Sequence, residues 1–435
     1  MRFLFNISPF AISLINAITD RTIFLGMMTM RKSALILFSL SACFSSLSYA
    51  VNNNATRIVI APTCLLSSVQ NASLTHLATH DQYQLIKTNK KGIHALMKAS
   101  HPHQAACGKF IDVTHDWQAV SHDISDKKQT NDFLINHFNQ KHMALASHET
   151  IYKIKYQKEV NAALQLLNPQ RMWNDLGFLT SYQDRYADSA TGIEATQWVA
   201  KEVEDLAASY GRQDVTIYTI KTNGYEQPSV IAKIGNSNAP GIVVGAHVDT
   251  LSGQFSKKPG ADDDGSGSVT VLELARTILS NDMHFNKPVY LMWYAAEEEG
   301  LVGSRNVVAE FQRKQIPIDA VLHFDMTGYD PQKQLKMWLM DDNVNPGLES
   351  FVGDLIKEYV HRSIGVTRCG YGCSDHASWN QKGIPAAIAA EASMAGSNPD
   401  MHSSRDTRDK LSLEHMTDYA KLALAFTIEL AEPKA

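Results

Sequence analysis

Four short apolar runs in this 435-residue chain each stop just before residues that carry chemistry. GIVVG at 241–245 is followed by His247 and Asp249, and VYLMWY at 289–294 by a run of three glutamates at 297–299. AVLHF at 320–324 leads into Asp325, and IPAAIAA at 384–390 leads into Glu391 and a loop carrying His402. Short apolar runs of this kind read as strands buried on both faces, as in parallel sheets. Helix-like stretches at 266–280 and 304–314 lie between them. The alternation predicts an α/β fold with a mostly parallel central sheet and helices on both faces. In such sheets ligands bind beyond the carboxyl ends of the strands. Every chemical residue named above falls at such an end.

The segments themselves are GAHVDT (His247), PGADDDGSG (Asp263), YAAEEEG (Glu297 and Glu298), HFDMTGY (Asp325) and PDMHSSRDT (His402). Two imidazoles and three carboxylates form a hard N/O donor set that suits a pair of zinc ions. One carboxylate beside a ligand remains to handle a proton, which completes the parts of a two-metal hydrolase. Each segment alone has a plainer reading. A histidine after a strand is ordinarily a satisfied structural residue. The triple glutamate resembles a solvated charge run, and the triple aspartate a calcium loop, although it lacks the alternating EF-hand spacing. Five such segments in order carry the argument jointly.

These segments, with SYQDRYADSATGIEATQWVA, NGYEQPSVIAKI and CGYGCSDHASW, resemble the M28 family of zinc aminopeptidases, and in particular secreted bacterial leucyl aminopeptidases. The resemblance runs from about residue 160 to the C-terminus. It implies an α/β/α sandwich with two zinc ions per catalytic domain and peptide substrates with a free N-terminus. Asp263 would bridge the ions, one completed by Glu298 and His402, the other by His247 and Asp325. Glu297 would be the general base and Tyr371 would help stabilise the oxyanion. Asp249 would orient the His247 imidazole, and the Asp263–Asp264 peptide would be cis. His376 matches no ligand position and reads as structural. The resemblance places Met326, Leu339, Ile388, Met394 and Met401 in the substrate pocket. Ala390 and Ser397 stand where relatives carry aromatics, so the pocket is wider, admitting Leu, other hydrophobic residues and the stems of Lys or Arg. It also implies a Cys369–Cys373 disulfide. Glutaminyl-peptide cyclases share the fold with a single zinc and are the runner-up reading. Receptor-like binding proteins that have lost ligands, and carboxypeptidases, fit less well, since no ligand is missing and no carboxylate-binding basic residue is evident.

The N-terminus reads as an export signal: Met30 begins a basic start, ALILFSLSA at 34–42 is the apolar segment, and SYA at 48–50 sets cleavage after Ala50. Residues 1–29 read as an upstream mis-start. LSAC at 40–43 also resembles a lipobox, which would anchor a lipoprotein at Cys43. Loss of Cys43 with the signal leaves four cysteines, an even number suited to a secreted or periplasmic protein, with Cys64 and Cys107 as the second pair. With 44% hydrophobic residues, 20% charged residues and a net charge of −5, nothing points to nucleic acid or a membrane span. A monomer is expected. Residues 51–145 differ in texture, with strand-like runs at 57–60, 83–87 and 110–113 and a helix near 92–99. They read as a small α+β unit resembling the propeptides of secreted relatives, with a processing linker at 123–131 or 139–149. Residues 146–435 form the peptidase domain.

Overall fold

The computed structural model describes residues 55–69, 73–100, 107–120, 123–145 and 150–434, and from residue 51 on the chain forms one compact unit. The expected signal peptide, its Cys43 and the upstream start lie outside the described residues. Among the described residues twelve strands run in chain order: β1 Arg57–Pro62, β2 Thr75–His80, β3 Tyr83–Thr88, β4 Ile111–Asp112, β5 Val215–Ile220, β6 Ser229–Ile234, β7 Gly241–His247, β8 Val289–Tyr294, β9 Ile318–His323, β10 Met337–Met340, β11 Ile364–Thr367 and β12 Ala386–Ala390. They form two sheets.

The large sheet has the order β11-β10-β12-β9-β7-β8-β6-β5. Its centre, β12-β9-β7-β8, is parallel throughout. Every residue of β7 and β8 is buried, as strands covered on both faces require. Helices cover one face: Ala190–Ser209, Gly267–Ser280 and Leu413–Ala431, the first begun by Ser189 accepting from Gly192 N–H and the last by Ser412 accepting from His415 N–H. The helix Val302–Arg313 packs on the other face, where Phe311 meets Tyr290 and Trp379 edge-on. The helices expected at 266–280 and 304–314 are therefore present with ends shifted by one or two residues.

The small antiparallel sheet, β2-β3-β1-β4, carries the helix Lys90–Ala99 on one face, with Val59, Ile86, Ile93 and Leu96 buried between them. Its other face buries Ile58, Ile60, Leu85 and Leu134. Lys127–Leu145 is one helix, so the polar stretch at 123–131 is a turn that becomes helical at residue 127, and 146–149 lie outside the described residues. Cysteine pairs Cys64–Cys107 and Cys369–Cys373 are both joined, with Cα atoms 5.6 Å and 6.1 Å apart, within disulfide range. Among the described residues no helix is long and apolar enough to cross a membrane.

Candidate active site

The carboxyl ends of β7, β8, β9 and β12 converge, and the five segments meet there. His247 ends β7, and its Nε2 lies 3.1 Å from Asp263 Oδ1 and 3.6 Å from Asp325 Oδ1. His402 Nε2 lies 2.8 Å from Asp263 Oδ2 and 2.9 Å from Glu298 Oε2. The two oxygens of Asp263 thus face two different histidines. His247, Asp263 and Asp325 form one potential ligand group and Asp263, Glu298 and His402 a second, with donor atoms in each group within 4.8 Å of one another. Both groups mix imidazole nitrogen with carboxylate oxygen, a donor set that fits zinc.

Electrostatics follows from this packing. Burial opposes the Asp263 charge, yet His402 and His247 hold its carboxyl well below the usual range. Burial opposes the His402 charge too, but Glu298 and Asp263 lift it to about 10. Glu297 belongs to neither group. Burial drives its carboxyl well above the ordinary range, opposed by Lys109 and His247. The Lys109 ammonium reaches to 3.6 Å from Glu297 Oε2 and 3.8 Å from Glu298 Oε2. This lysine comes from the small sheet's side of the molecule, and no sequence signal marked it.

Backbone hydrogen bonds fix the groups relative to one another. Asp249 lies 3.5 Å from His247 Nδ1 and accepts from the Glu297 and Glu298 amides at 3.0 and 3.2 Å. One carboxylate therefore ties the β7 loop to the β8 loop. Asp264 accepts from the amides of His247, Gly267 and Met326 at 3.1, 2.9 and 3.1 Å, joining β7, a helix start and the β9 loop. The peptide between Asp263 and Asp264 is cis. Two further residues share this work and were not singled out from the sequence. Asp406 accepts from the amides of Asp262 and Asp263 at 3.0 and 3.2 Å. Arg185 is fully buried and donates to the carbonyls of Val248, Pro259 and Gly260 at 2.8, 2.6 and 2.8 Å. Gly260 has φ +51°, and a Cβ there would lie 2.3 Å from Thr250 Cγ2 and 2.9 Å from Arg185 Nη2, so the close approach of the guanidinium needs glycine. Met326 and His402 also take left-handed backbone, at φ 64° and 61°, a conformation that clusters at functional sites.

Beside Asp263 and Asp325 opens a cavity of about 110 Å³. Met326, Met340, Ile388, Met394 and Met401 line it with Tyr371 and the Cys369–Cys373 bridge, and Ala390 and Ser397 form small parts of its wall. Leu339, expected in the pocket, is not there. Successive residues of β10 point to opposite faces. Leu339 packs against the main core, and its neighbour Met340 takes the pocket position. His376 is buried beside His323, with ring centroids 6.3 Å apart, and belongs to neither ligand group.

Comparison with known proteins gives this arrangement a context. The family model "Peptidase family M28" matches residues 229–427. Leucine aminopeptidase 1 of Aspergillus niger is 37% identical over 295 residues, covering 64% of this chain and 74% of that protein. The chain belongs to peptidase family M28. It is a zinc-family aminopeptidase, a hydrolase of peptide bonds. The crystal structure of the Legionella pneumophila LapA aminopeptidase is 39% identical with a TM-score of 0.80, covering 87% of this chain and 98% of that one. The described stretch 150–434 of this M28 aminopeptidase is only about two thirds of its length, so that match reaches into the N-terminal unit. A glutaminyl cyclase of Porphyromonas gingivalis shares the fold at 16% identity and a TM-score of 0.51, covering 61% of this chain and 99% of that one.

Proposed function

We propose that this M28 aminopeptidase is an exported, monomeric di-zinc enzyme that removes single hydrophobic residues, Leu foremost, from the free N-termini of peptides. The observation that carries the reading is Asp263, whose two carboxylate oxygens are shared between the His247 and His402 sides. His247 and Asp325 would complete one metal and Glu298 and His402 the other. When bound, paired zinc ions polarise the scissile carbonyl and lower the pKa of a coordinated water to about 7. Glu297, outside both groups, takes the proton from the attacking water and returns it to the leaving amine. Burial raises the Tyr371 hydroxyl above its ordinary pKa and keeps it protonated, suited to donate to the developing oxyanion. Asp249 and Asp264 hold the His247, Glu297 and Asp325 loops in register for these steps. The thioether-rich cavity accepts the first side chain, and its small residues Ala390 and Ser397 leave room for Phe, Met or a basic stem. The N-terminal 51–145 unit is a propeptide, and the leader through Ala50 directs export.

A panel of aminoacyl-p-nitroanilides with the zinc-loaded protein tests this. Release of nitroaniline from leucyl and other unblocked substrates, with none from N-acetylated ones, is expected, together with two zinc ions per chain by metal analysis. Silence across the panel with zinc bound, coupled with cyclisation of glutaminyl peptides, would replace this reading with the cyclase one. The exported protein should begin at Val51, and a lipid-modified Cys43 start would overturn the leader assignment.

A further inference from the structure

The loop that leaves β7 carries a lysine to the edge of the candidate site. It runs from Leu251 to Lys258 and is pinned to residues 181–184 at four points. Gln183 donates through Nε2 to Gly253 O at 2.8 Å and accepts from the Lys258 amide at 2.9 Å. Asp184 accepts from the Gly253 amide at 2.6 Å, and Lys257 Nζ donates to Ser181 O at 3.2 Å. Gly253 lies so close to this segment that a Cβ would sit 2.7 Å from Gln183 O. At the far end of the loop, Lys258 Nζ donates to the backbone carbonyl of His402 at 2.7 Å, and Glu298 is the carboxylate whose charge it meets. At the near end, Leu251 lines the hollow around Glu297, Glu298 and His402. The loop therefore borders the two glutamates, while the thioether-rich cavity lies beside Asp325 and Met326. His402 stands between the two spaces and lines both.

The plainer reading is a tether, with Lys258 holding the His402 carbonyl and doing nothing more. Two observations speak against it. The four contacts with residues 181–184 already fix the loop without this side chain. An ammonium also has three donors, and among the described residues only the one to His402 O is used and no carboxylate pairs with it. Glu298 is committed to His402 and the second ligand group. The lysine is half-buried, so its remaining donors stay open to an incoming group. In the proposed reaction Glu297 returns its proton to the leaving amine, so the residue after the scissile bond comes to lie on the Glu297 side, where this loop stands. A compact ammonium with rotatable donors suits a carboxylate there. We infer that Lys258 recognises a carboxylate on the leaving residue, carried as the free α-carboxylate of a dipeptide or as an Asp or Glu side chain in second position. The inference rests on the general-base role proposed for Glu297.

The test compares, with the zinc-loaded protein, peptides that differ only in that charge. Leu-Gly against Leu-glycinamide reads the α-carboxylate, and Leu-Asp-amide against Leu-Asn-amide reads the side chain. Lys258→Met should shift at least one of these KM ratios against the charged peptide by about three- to tenfold, as loss of a partly exposed charge-assisted contact would. The shift should lie in KM and not in kcat. A shift confined to the first pair assigns the α-carboxylate, one confined to the second the acidic side chain, and a shift in both shows that Lys258 takes either. Lys258→Arg keeps the charge and should retain most of the parental ratio. Lys257→Met removes the neighbouring charge, held at Ser181 O, and should leave both ratios as in the parent. A ratio of two substrates on one enzyme cancels any loss of folded protein, and Lys258→Gln repeats the comparison should Lys258→Met fold poorly. Parental ratios in Lys258→Met, or an equal shift in Lys257→Met, would overturn the inference while cleavage of leucyl-p-nitroanilide kept the aminopeptidase reading in place. If the parent cleaves neither the peptides nor the anilide, that reading fails and the inference with it.

Discussion

Arg185→Met is the most revealing perturbation of the candidate metal-binding loops. The guanidinium is 0% exposed and makes three hydrogen bonds to backbone carbonyls, those of Val248, Pro259 and Gly260. Val248 follows His247, and Gly260 lies three residues before Asp263, so one side chain spans the supports of both ligand groups. A hydrogen bond to a charged group contributes about 1.5–3 kcal/mol. Methionine fills much of the volume but satisfies none of the three carbonyls. Partial rescue by water takes the estimate to the lower end, about 4 kcal/mol in all. Against a typical stability of about 5–15 kcal/mol this is severe but survivable. The assay is urea unfolding of the metal-free chain, with zinc affinity measured separately by chelator competition. We expect a large fall in the midpoint with an unchanged slope. Zinc affinity should drop about 10–100-fold, as when outer partners of a metal site are lost. Arg185→Lys keeps the charge but not the planar fork, and should recover less than half of either effect. Unfolding within about 1 kcal/mol of the parent, with zinc affinity intact, would refute the clamp, because it would mean the carbonyls find other donors at little cost.

Glu297→Gln should retain two zinc ions by metal analysis and lose about 10²–10⁴ in kcat, the range expected for a missing general base; near-parental turnover would reassign the base. Ala390→Phe, by narrowing the side-chain cavity, should shift the ratio of kcat/KM for leucyl over phenylalanyl anilide upward by about tenfold; an unchanged ratio would place specificity elsewhere. Glu349 lies away from the ligands and accepts from Met340 and Ile388 amides at 2.9 and 3.3 Å, and burial lifts its carboxyl from 4.5 to about 8. The folded state therefore keeps a proton that the unfolded chain releases near 4.5, so this group's contribution weakens as pH rises from there to about 8. Each unit of that window is worth up to about 1.4 kcal/mol. Glu349→Gln should flatten that part of the stability profile in denaturation series at pH 5, 6, 7 and 8, and identical pH slopes for parent and variant would contradict the assignment.

What could be read from the chain divides along the range of the forces involved. The central strands declared themselves because burial on both faces keeps GIVVG and VYLMWY free of charged residues, whatever surrounds them. The candidate ligands His247, Glu298 and Asp325 declared themselves because each sits at or just beyond a strand end, whereas Asp263 and His402 lie on longer loops and were legible through their motifs. The edge strand β2, THLATH, went unread because most of its residues are exposed or half-buried and impose no apolar pattern. Leu339 was misplaced by one position, since strand alternation turns a single-residue ambiguity into the opposite face, and nothing local says which of Leu339 and Met340 looks inward. Arg185, Asp406 and Lys109 lie at the far limit. Arg185 acts on carbonyls 63 to 75 residues away, and Asp406 on amides 143 and 144 residues away. A carbonyl or an amide is present at almost every position, so the sequence cannot mark the ones that will be reached. Lys109 is likewise one lysine among many until the docked unit brings it to Glu297. Residues that bind a ligand leave a pattern because their chemistry is selected by type, whereas residues that position those ligands are selected by place. The second kind becomes visible only when the chain has closed on itself.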